Sequence, residues 1–170
     1  IINQNTNKGD IVVSEPDNGL YNAINKGIKI SSGDIIGVLH SDDFYPHKSV
    51  ISEYIELFKQ KNVSIVYGDV DFVSKKDENK IVRKYKSGNL SIKRLAWGWM
   101  PAHPAMFIKR EIYDFYGLYK ENYLICGDYE FICRVAKDGN FNYYYLKKVT
   151  YLMQVGGIST QGIRSTFIIN

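Results

Sequence analysis

Two adjacent aspartates, Asp42 and Asp43, follow an apolar stretch at 34–39 that is typical of a buried strand. In open α/β sheets the ligand crevice lies at the carboxyl ends of the strands. Neighbouring carboxylates repel each other and are costly to desolvate, so a cation is expected nearby, and Mg²⁺ or Mn²⁺ prefers oxygen ligands. Successive side chains of an extended chain point to opposite faces, so we expect Asp43 on the metal and Asp42 on a substrate hydroxyl. The alternative is that either aspartate caps a helix beginning near Pro46.

Size and composition favour one domain with a real core. The chain has 170 residues, of which 45% are hydrophobic and 24% are charged. No apolar run approaches the length of about 18 residues that a membrane-spanning helix needs. The net charge of +4 is small and scattered, which argues against nucleic-acid binding. Cys126 and Cys133 are too few for a disulfide scaffold or a zinc site, so a reduced cytoplasmic setting is expected.

Hydrophobic periodicity predicts the elements that must position the two aspartates. Helices and strands alternate in the first half, and antiparallel-looking strands follow. This order predicts an α/β fold with a sheet of mixed direction, in which 34–39 is a buried parallel strand. The predicted strands are 11–13, 34–39, 63–67, a hairpin of 69–74 with 81–86, 105–108 and 143–154, and the predicted helices are 20–28, 50–58, 90–95, 110–116 and 128–137.

Four ordered blocks of sequence resemble family 2 glycosyltransferases of the GT-A fold, most closely the bacterial members that build surface polysaccharides. The first block runs from Ser14 to Asp43 and includes Pro16-Asp17-Asn18-Gly19 and the acidic pair; the others are 101–108, 127–134 and 156–159. The resemblance implies a GT-A, Rossmann-like mixed sheet flanked by helices. Each block alone is weak evidence, whereas their order and spacing together are fairly specific.

The resemblance assigns roles to three carboxylates. The acidic pair corresponds to the family's DxD motif, which holds Mn²⁺ or Mg²⁺ on the diphosphate of a nucleotide-sugar, with a UDP-sugar favoured. Asp43 would bind the metal and Asp42 the donor. Asp128 matches the position of the catalytic base in inverting members, where a carboxylate takes the proton of the attacking hydroxyl. The alternative role of Asp128 is that of an ordinary helix N-cap, because Gly-Asp precedes a stretch in which apolar residues recur at helical spacing.

Further residues are weaker candidates for binding donor and acceptor. Asn22 and Lys26 have family counterparts near the donor, and a polar helix face is the alternative. His103 either contacts the diphosphate or acceptor or is a buried histidine with satisfied hydrogen bonds. Flat rings stack on sugars, so Trp97 and Trp99 could form an acceptor platform, although core packing is favoured. Glu130 is a secondary acceptor candidate, since helical geometry points it away from Asp128, two residues earlier.

The resemblance also implies a missing segment. GT-A members open with a strand, a helix and a second strand that bind the nucleotide base, and only 13 residues precede Ser14 here. We therefore expect residues 1–170 to form a partial GT-A domain that lacks the first βαβ portion. On its own it should bind nucleotides weakly or not at all.

The leading hypothesis is a metal-dependent, inverting transferase of surface polysaccharide biosynthesis. Residues 161–165 do not match the Gln-x-x-Arg-Trp motif of processive members, which favours single addition. The resemblance implies a saccharide or lipid-linked saccharide acceptor and a place in the cytoplasm, at the inner membrane face by peripheral association. The alternative is a catalytically incomplete remnant that binds carbohydrate or a partner. A nucleotidyltransferase would need a Gly-rich phosphate loop that these residues lack.

Overall fold

The computed structural model describes residue 7 and residues 9–156. Helices and strands succeed one another in a mixed order along this part of the chain. They are α1 (Leu20–Ile30), β1 (Ile35–Gly37), α2 (Val50–Gln60), β2 (Ile65–Ser74), β3 (Asp77–Tyr85), α3 (Ile92–Ala96), a 3₁₀ turn (His103–Ala105), β4 (Met106–Lys109), α4 (Arg110–Tyr116), α5 (Gly127–Asp138) and β5 (Tyr143–Gln154).

The strands form one mixed sheet centred on β2. Strand β4 lies between β1 and β2 and is antiparallel to both. Strand β3 pairs with the second half of β2 as an antiparallel hairpin, and β5 runs parallel to β2 along nearly its whole length. Strands β1, β2 and β5 therefore point the same way, and their carboxyl ends meet at one edge of the sheet.

Helices cover both faces of the sheet because side chains along β2 alternate between them. Ile65 and Tyr67 lie in a large buried cluster with apolar residues of α1, α4 and α5. Val66 points the other way, into a cluster with Phe107 of β4 and the apolar side of α2. There the ring of Tyr54 lies 4.3 Å from that of Phe107, centroid to centroid. The predicted mixed α/β fold is confirmed.

Several predicted elements are confirmed in detail, including α4 at 110–116 and β5 at 143–154. The strands predicted at 63–67 and 69–74 are a single strand, β2, because β5 pairs with it across both stretches, with a shift in register near Asp69. No helix within residues 9–156 is both long and apolar enough to span a bilayer.

Two predictions about strands are wrong. Residues 11–13 form no strand, and their side chains are 63%, 47% and 51% exposed, because no described strand offers them a ladder of hydrogen bonds. Strand β1 was expected to be a buried parallel strand. Among the described residues its neighbour is β4, which runs antiparallel, and only Ile36 of β1 is buried.

Candidate active site

Topology brings the predicted site residues to one edge of the sheet. The segment 40–43 follows β1, and Gln154 ends β5, so both lie at the edge where the parallel strands end. His103 begins the 3₁₀ turn that leads into β4, and the first residues of β4 pair with Gly37 at the end of β1 and with Tyr67 of β2. A bridge between Phe44 and Leu152 joins the segment after β1 to β5. These segments thus lie at the edge of the sheet where ligands of open α/β sheets bind.

Asp43 is held by two donors from β5. The Tyr151 hydroxyl donates to Oδ2 at 2.8 Å, and the Gln154 backbone N–H donates to Oδ1 at 3.0 Å. Burial and the neighbouring Asp43 carboxylate raise the pKa of Tyr151, so its hydroxyl remains a donor. Asp42 is exposed, and its carboxylate makes no hydrogen bond or ion pair with the described residues. Neither aspartate caps a helix, since α2 begins only at Val50.

The donor set of the acidic pair fits a hard divalent cation. Each carboxylate oxygen of Asp43 accepts one hydrogen bond and keeps capacity for another partner, and neither oxygen of Asp42 has a partner in the described part of the chain. Among residues 9–156, no three His, Cys, Asp or Glu side chains converge into a complete metal cage. Mg²⁺ is commonly held by one or two carboxylates together with substrate phosphates, and this pair suits such an incomplete site.

Asp128 lies in the first turn of α5, with one oxygen fixed. Its Oδ1 accepts hydrogen bonds from the Tyr21 hydroxyl at 3.0 Å and from the Tyr129 backbone N–H at 2.9 Å. Its Oδ2 has no hydrogen bond within the described part of the chain. The helix begins one residue earlier than predicted, and Cys126 occupies the cap position with a left-handed φ of 67°. Asp128 is therefore beyond the N-cap position that the alternative gave it.

His103 is buried at the start of the 3₁₀ turn. Its Nε2 lies 2.7 Å from the Tyr119 hydroxyl, so the prediction of a satisfied buried histidine is confirmed. Burial lowers the pKa of His103; His40 lowers it further, and Asp128 opposes both. His40 in turn donates its backbone N–H to the same Tyr151 hydroxyl that holds Asp43.

The predicted donor-binding residues of α1 already have protein partners. Asn22 donates its side-chain amide to Glu121 Oε2 at 2.8 Å. Lys26 contacts Glu15 Oε1 at 2.7 Å and Asp17 Oδ1 at 2.9 Å, so it holds the preceding turn against the helix. These contacts raise the pKa of Lys26. Both side chains lie at the helix that carries Tyr21, but each would have to share or exchange partners to contact a ligand.

The three weak acceptor candidates differ in their surroundings. Trp97 is 91% exposed, so the prediction that it packs in the core is wrong; its helix, α3, ends just before it. Trp99 is half-buried, and its ring carries the Arg94 guanidinium at 3.3 Å from the ring centroid. Glu130 forms ion pairs with Arg134 at 3.1 Å and with Lys120 at 2.8 Å, which directs it away from Asp128 as expected.

Sequence reasoning missed the tyrosines that organise the site. Tyr21 and Tyr151 each hold one of the key carboxylates, and Tyr119 holds His103. Tyr21 lies inside the first block of resemblance, which was a usable signal. Tyr151 and Tyr119 had none, because the chain holds 14 tyrosines spread along its length. Of the fourth block, 157–159 lies outside the described residues.

The sequence matches a known protein family. Residues 3–117 match the family described as glycosyl transferase family 2. An uncharacterised glycosyltransferase of Mycobacterium tuberculosis is 31% identical over 130 residues, which cover 72% of this chain and 46% of that protein. A PGL/p-HBAD biosynthesis glycosyltransferase of Mycobacterium bovis is 23% identical over 163 residues, which cover 93% of this chain and 60% of that protein.

Solved structures show the same fold. The crystal structure of Staphylococcus aureus TarS 1–349 in complex with UDP-GlcNAc matches with a TM-score of 0.67 at 12% identity, covering 92% of this chain and 46% of that one. The complex of the same protein with UDP matches with a TM-score of 0.63. The chain spans about half the length of the proteins that it matches.

Proposed function

The chain belongs to glycosyl transferase family 2, and from that premise we propose that it moves a sugar from a nucleotide-diphosphate sugar to an acceptor hydroxyl. The observation that carries this proposal is the state of Asp128. One oxygen is fixed by Tyr21 and by the backbone of Tyr129, while the other has no partner among the described residues and can accept a proton. A base needs this combination of fixed orientation and one available lone pair.

The proposed reaction is a single displacement. Asp128 Oδ2 takes the proton of the acceptor hydroxyl as that oxygen forms a bond to the anomeric carbon of the donor. The bond from the anomeric carbon to the diphosphate oxygen breaks, and the nucleoside diphosphate leaves with the electron pair. Attack comes from the face opposite the leaving group, so the anomeric configuration inverts. One sugar is added in each encounter, in keeping with the missing processive motif.

Asp43 is the proposed metal ligand and Asp42 the proposed partner of the donor sugar. When bound, Mn²⁺ or Mg²⁺ stabilises the charge that develops on the leaving diphosphate. Tyr151 and the backbone of Gln154 keep the Asp43 carboxylate in one orientation, as partners of a metal-binding group commonly do. His103 lies too deep to contact a ligand without a shift of Tyr119, so we assign it to support of the crevice wall.

A UDP-sugar is the proposed donor class, and a saccharide, free or lipid-linked, the proposed acceptor. The likeness to TarS, whose structure was solved with UDP and with UDP-GlcNAc, supports the first choice. The relative named for PGL/p-HBAD biosynthesis supports a biosynthetic role, and surface polysaccharide biosynthesis is the setting we propose. Trp97 and Trp99 are proposed to meet the acceptor, because Trp97 exposes a flat ring of the type that stacks on sugars.

The test is an assay of UDP release by the protein expressed from its complete gene. UDP-GlcNAc, UDP-glucose and UDP-galactose are supplied with Mn²⁺ and a panel of para-nitrophenyl glycosides as acceptors. We expect Asp128→Asn to lower kcat by about 10²–10⁴-fold, because general base catalysis contributes that much. Asp43→Ala should remove the response of the rate to Mn²⁺.

Matched controls separate these roles from general damage. Asp138→Asn makes the same exchange at the other end of α5, where the exposed Asp138 carboxylate accepts a bond from the Tyr116 hydroxyl. Asp34→Ala removes an exposed carboxylate just before β1. Both controls should transfer at the wild-type rate. Wild-type transfer by Asp128→Asn would overturn the assignment of the base, and an unchanged Mn²⁺ response in Asp43→Ala would overturn that of the metal ligand.

A further inference from the structure

We propose that Tyr21 is a positioning residue for Asp128: its hydroxyl fixes Oδ1 and thereby leaves Oδ2 as the oxygen that takes the acceptor proton. The inference rests on the proposed function of Asp128 as the base. It begins from the hydrogen bond of 3.0 Å between the two side chains, which lie 107 positions apart in the sequence. Tyr21 does not touch the reacting atoms in this scheme and acts only through Asp128.

The Tyr21 ring packs closely against two neighbours. It is 5% exposed and stacks on the ring of Tyr119, with centroids 5.7 Å apart and planes 28° apart. It also lies against Gly127, where a Cβ would come within 2.7–2.9 Å of three ring atoms. A phenol ring packed in this way holds its hydroxyl at one position, beside the first turn of α5.

The helix that carries Tyr21 is itself fixed to the same wall of the site. Asn25, one turn further along α1, donates to the Tyr119 carbonyl at 2.8 Å and accepts from the Tyr119 N–H at 3.1 Å. It also donates to Glu121 Oε1 at 3.0 Å. Asn25 is buried, so these bonds are shielded from water and hold α1 in register with the loop before α5.

Among the described residues, four titratable groups interact electrostatically with Asp128, and one of them bonds to it. They are Tyr21 from α1, His103 from the 3₁₀ turn, Tyr119 from the loop before α5, and Cys126 from the cap of α5. Burial raises the pKa of the two tyrosines and of the thiol and lowers that of the imidazole, so near neutral pH all four are uncharged. Tyr21 is the member of this group that donates a hydrogen bond to the carboxylate.

Removing that donor has a predictable sign. A carboxylate that loses a hydrogen-bond donor holds its proton more tightly. In Tyr21→Phe we therefore expect the acidic limb of the kcat/KM profile to move to higher pH. The freed carboxylate can also rotate, so kcat should fall about tenfold, while KM for UDP-GlcNAc stays within about twofold.

The experiment compares Tyr21→Phe with Tyr54→Phe in the complete gene product. Tyr54 is a fully buried tyrosine whose hydroxyl bonds to Ala105 and Thr150, away from Asp128. Rates are measured against pH with UDP-GlcNAc, Mn²⁺ and the glycoside panel. In parallel, ¹³C-labelled aspartate carboxyls are titrated by NMR, and the Asp128 signal is identified by its loss in Asp128→Asn. Thermal unfolding of both Phe variants reports any damage to the fold.

An upward shift of both the acidic limb and the Asp128 titration in Tyr21→Phe, with neither moved in Tyr54→Phe, supports the inference. A profile and titration that superimpose on the wild type overturn it, even if Asp128→Asn is inactive. If Asp128→Asn retains wild-type transfer, the proposed base is wrong and the inference fails with it, whatever the titration shows. A titration shift without any change in the rate profile also overturns it, since the bond would then be only structural.

Discussion

Replacing Gly127 by alanine directs a methyl group at the ring of Tyr21. The added Cβ would lie 2.7, 2.8 and 2.9 Å from Cε2, Cδ2 and Cζ of that ring, closer than real Cβ atoms approach other groups. The ring has little room to move away, because it is buried and stacks on the ring of Tyr119. We therefore expect Gly127→Ala to displace either the tyrosine or the first turn of α5, and with it Asp128.

The size of the effect follows from two opposing terms. Forcing an extra methyl into a filled site costs about 1–3 kcal/mol. Alanine in place of glycine in a helix returns about 0.5–1 kcal/mol, and less near a helix end. The net loss for Gly127→Ala is about 1–2 kcal/mol. For a domain of this size that corresponds to a Tm lower by about 2–8 °C.

Gly27→Ala is the matched control. Gly27 also lies in a helix, α1, but nothing is within 4 Å of the position that its Cβ would take. The same exchange there should raise Tm by about 1–4 °C, because only the helix preference of alanine remains. Circular dichroism or calorimetry measures both shifts, and UDP release shows whether Gly127→Ala also loses activity.

A thermodynamic cycle provides the decisive check. In a Tyr21→Ala background the ring is gone, so Gly127→Ala should lose its penalty and behave like Gly27→Ala. The reasoning is refuted if Gly127→Ala is as stable as the wild type, or if its penalty persists without the Tyr21 ring. In either case the close approach of α1 to α5 is not what requires glycine at position 127.

Three further predictions concern the polar contacts. Tyr151→Phe removes a donor to Asp43 but keeps the buried ring. The Mn²⁺ concentration that gives half-maximal UDP release should therefore rise about tenfold or more, and an unchanged concentration would contradict this. Burial opposes ionisation of Glu130, but hydrogen bonds from Arg134 and Lys120 outweigh it and lower the pKa of Glu130. The stabilisation that results is present above pH 4.5 and is lost as the pH falls further. Glu130→Gln should therefore lower Tm at neutral pH and make Tm fall less steeply in acid. Burial lowers the pKa of His103 below 6.5, so the fold loses stability as the pH falls below that value. His103→Gln should therefore make Tm depend less on pH between about pH 6.5 and pH 5.

Much of the fold could be predicted from the sequence, because local periodicity reports local structure. The helix α4 and the strand β5 have the bounds that their patterns predict. Prediction failed where an element depends on a distant partner. Residues 11–13 are apolar enough for a strand, yet a strand needs a neighbouring ladder, and the described residues supply none. The same reason explains β1, whose direction relative to its neighbour is a property of the pairing.

The sequence by itself determined which carboxylates are available and in what order: Asp42 and Asp43 after a strand, and Asp128 at the start of a helix. Only the tertiary structure decided what each one does with its oxygens. Tyr151 reaches Asp43 across 108 positions and Tyr21 reaches Asp128 across 107, separations at which no local pattern links the two residues. Those contacts arise because β5 returns parallel to β2 and because α1 and α5 cover the same face of the sheet. Within residues 9–156, the hydrogen bonds that packing fixes therefore leave Asp42 and one oxygen of Asp128 without a partner.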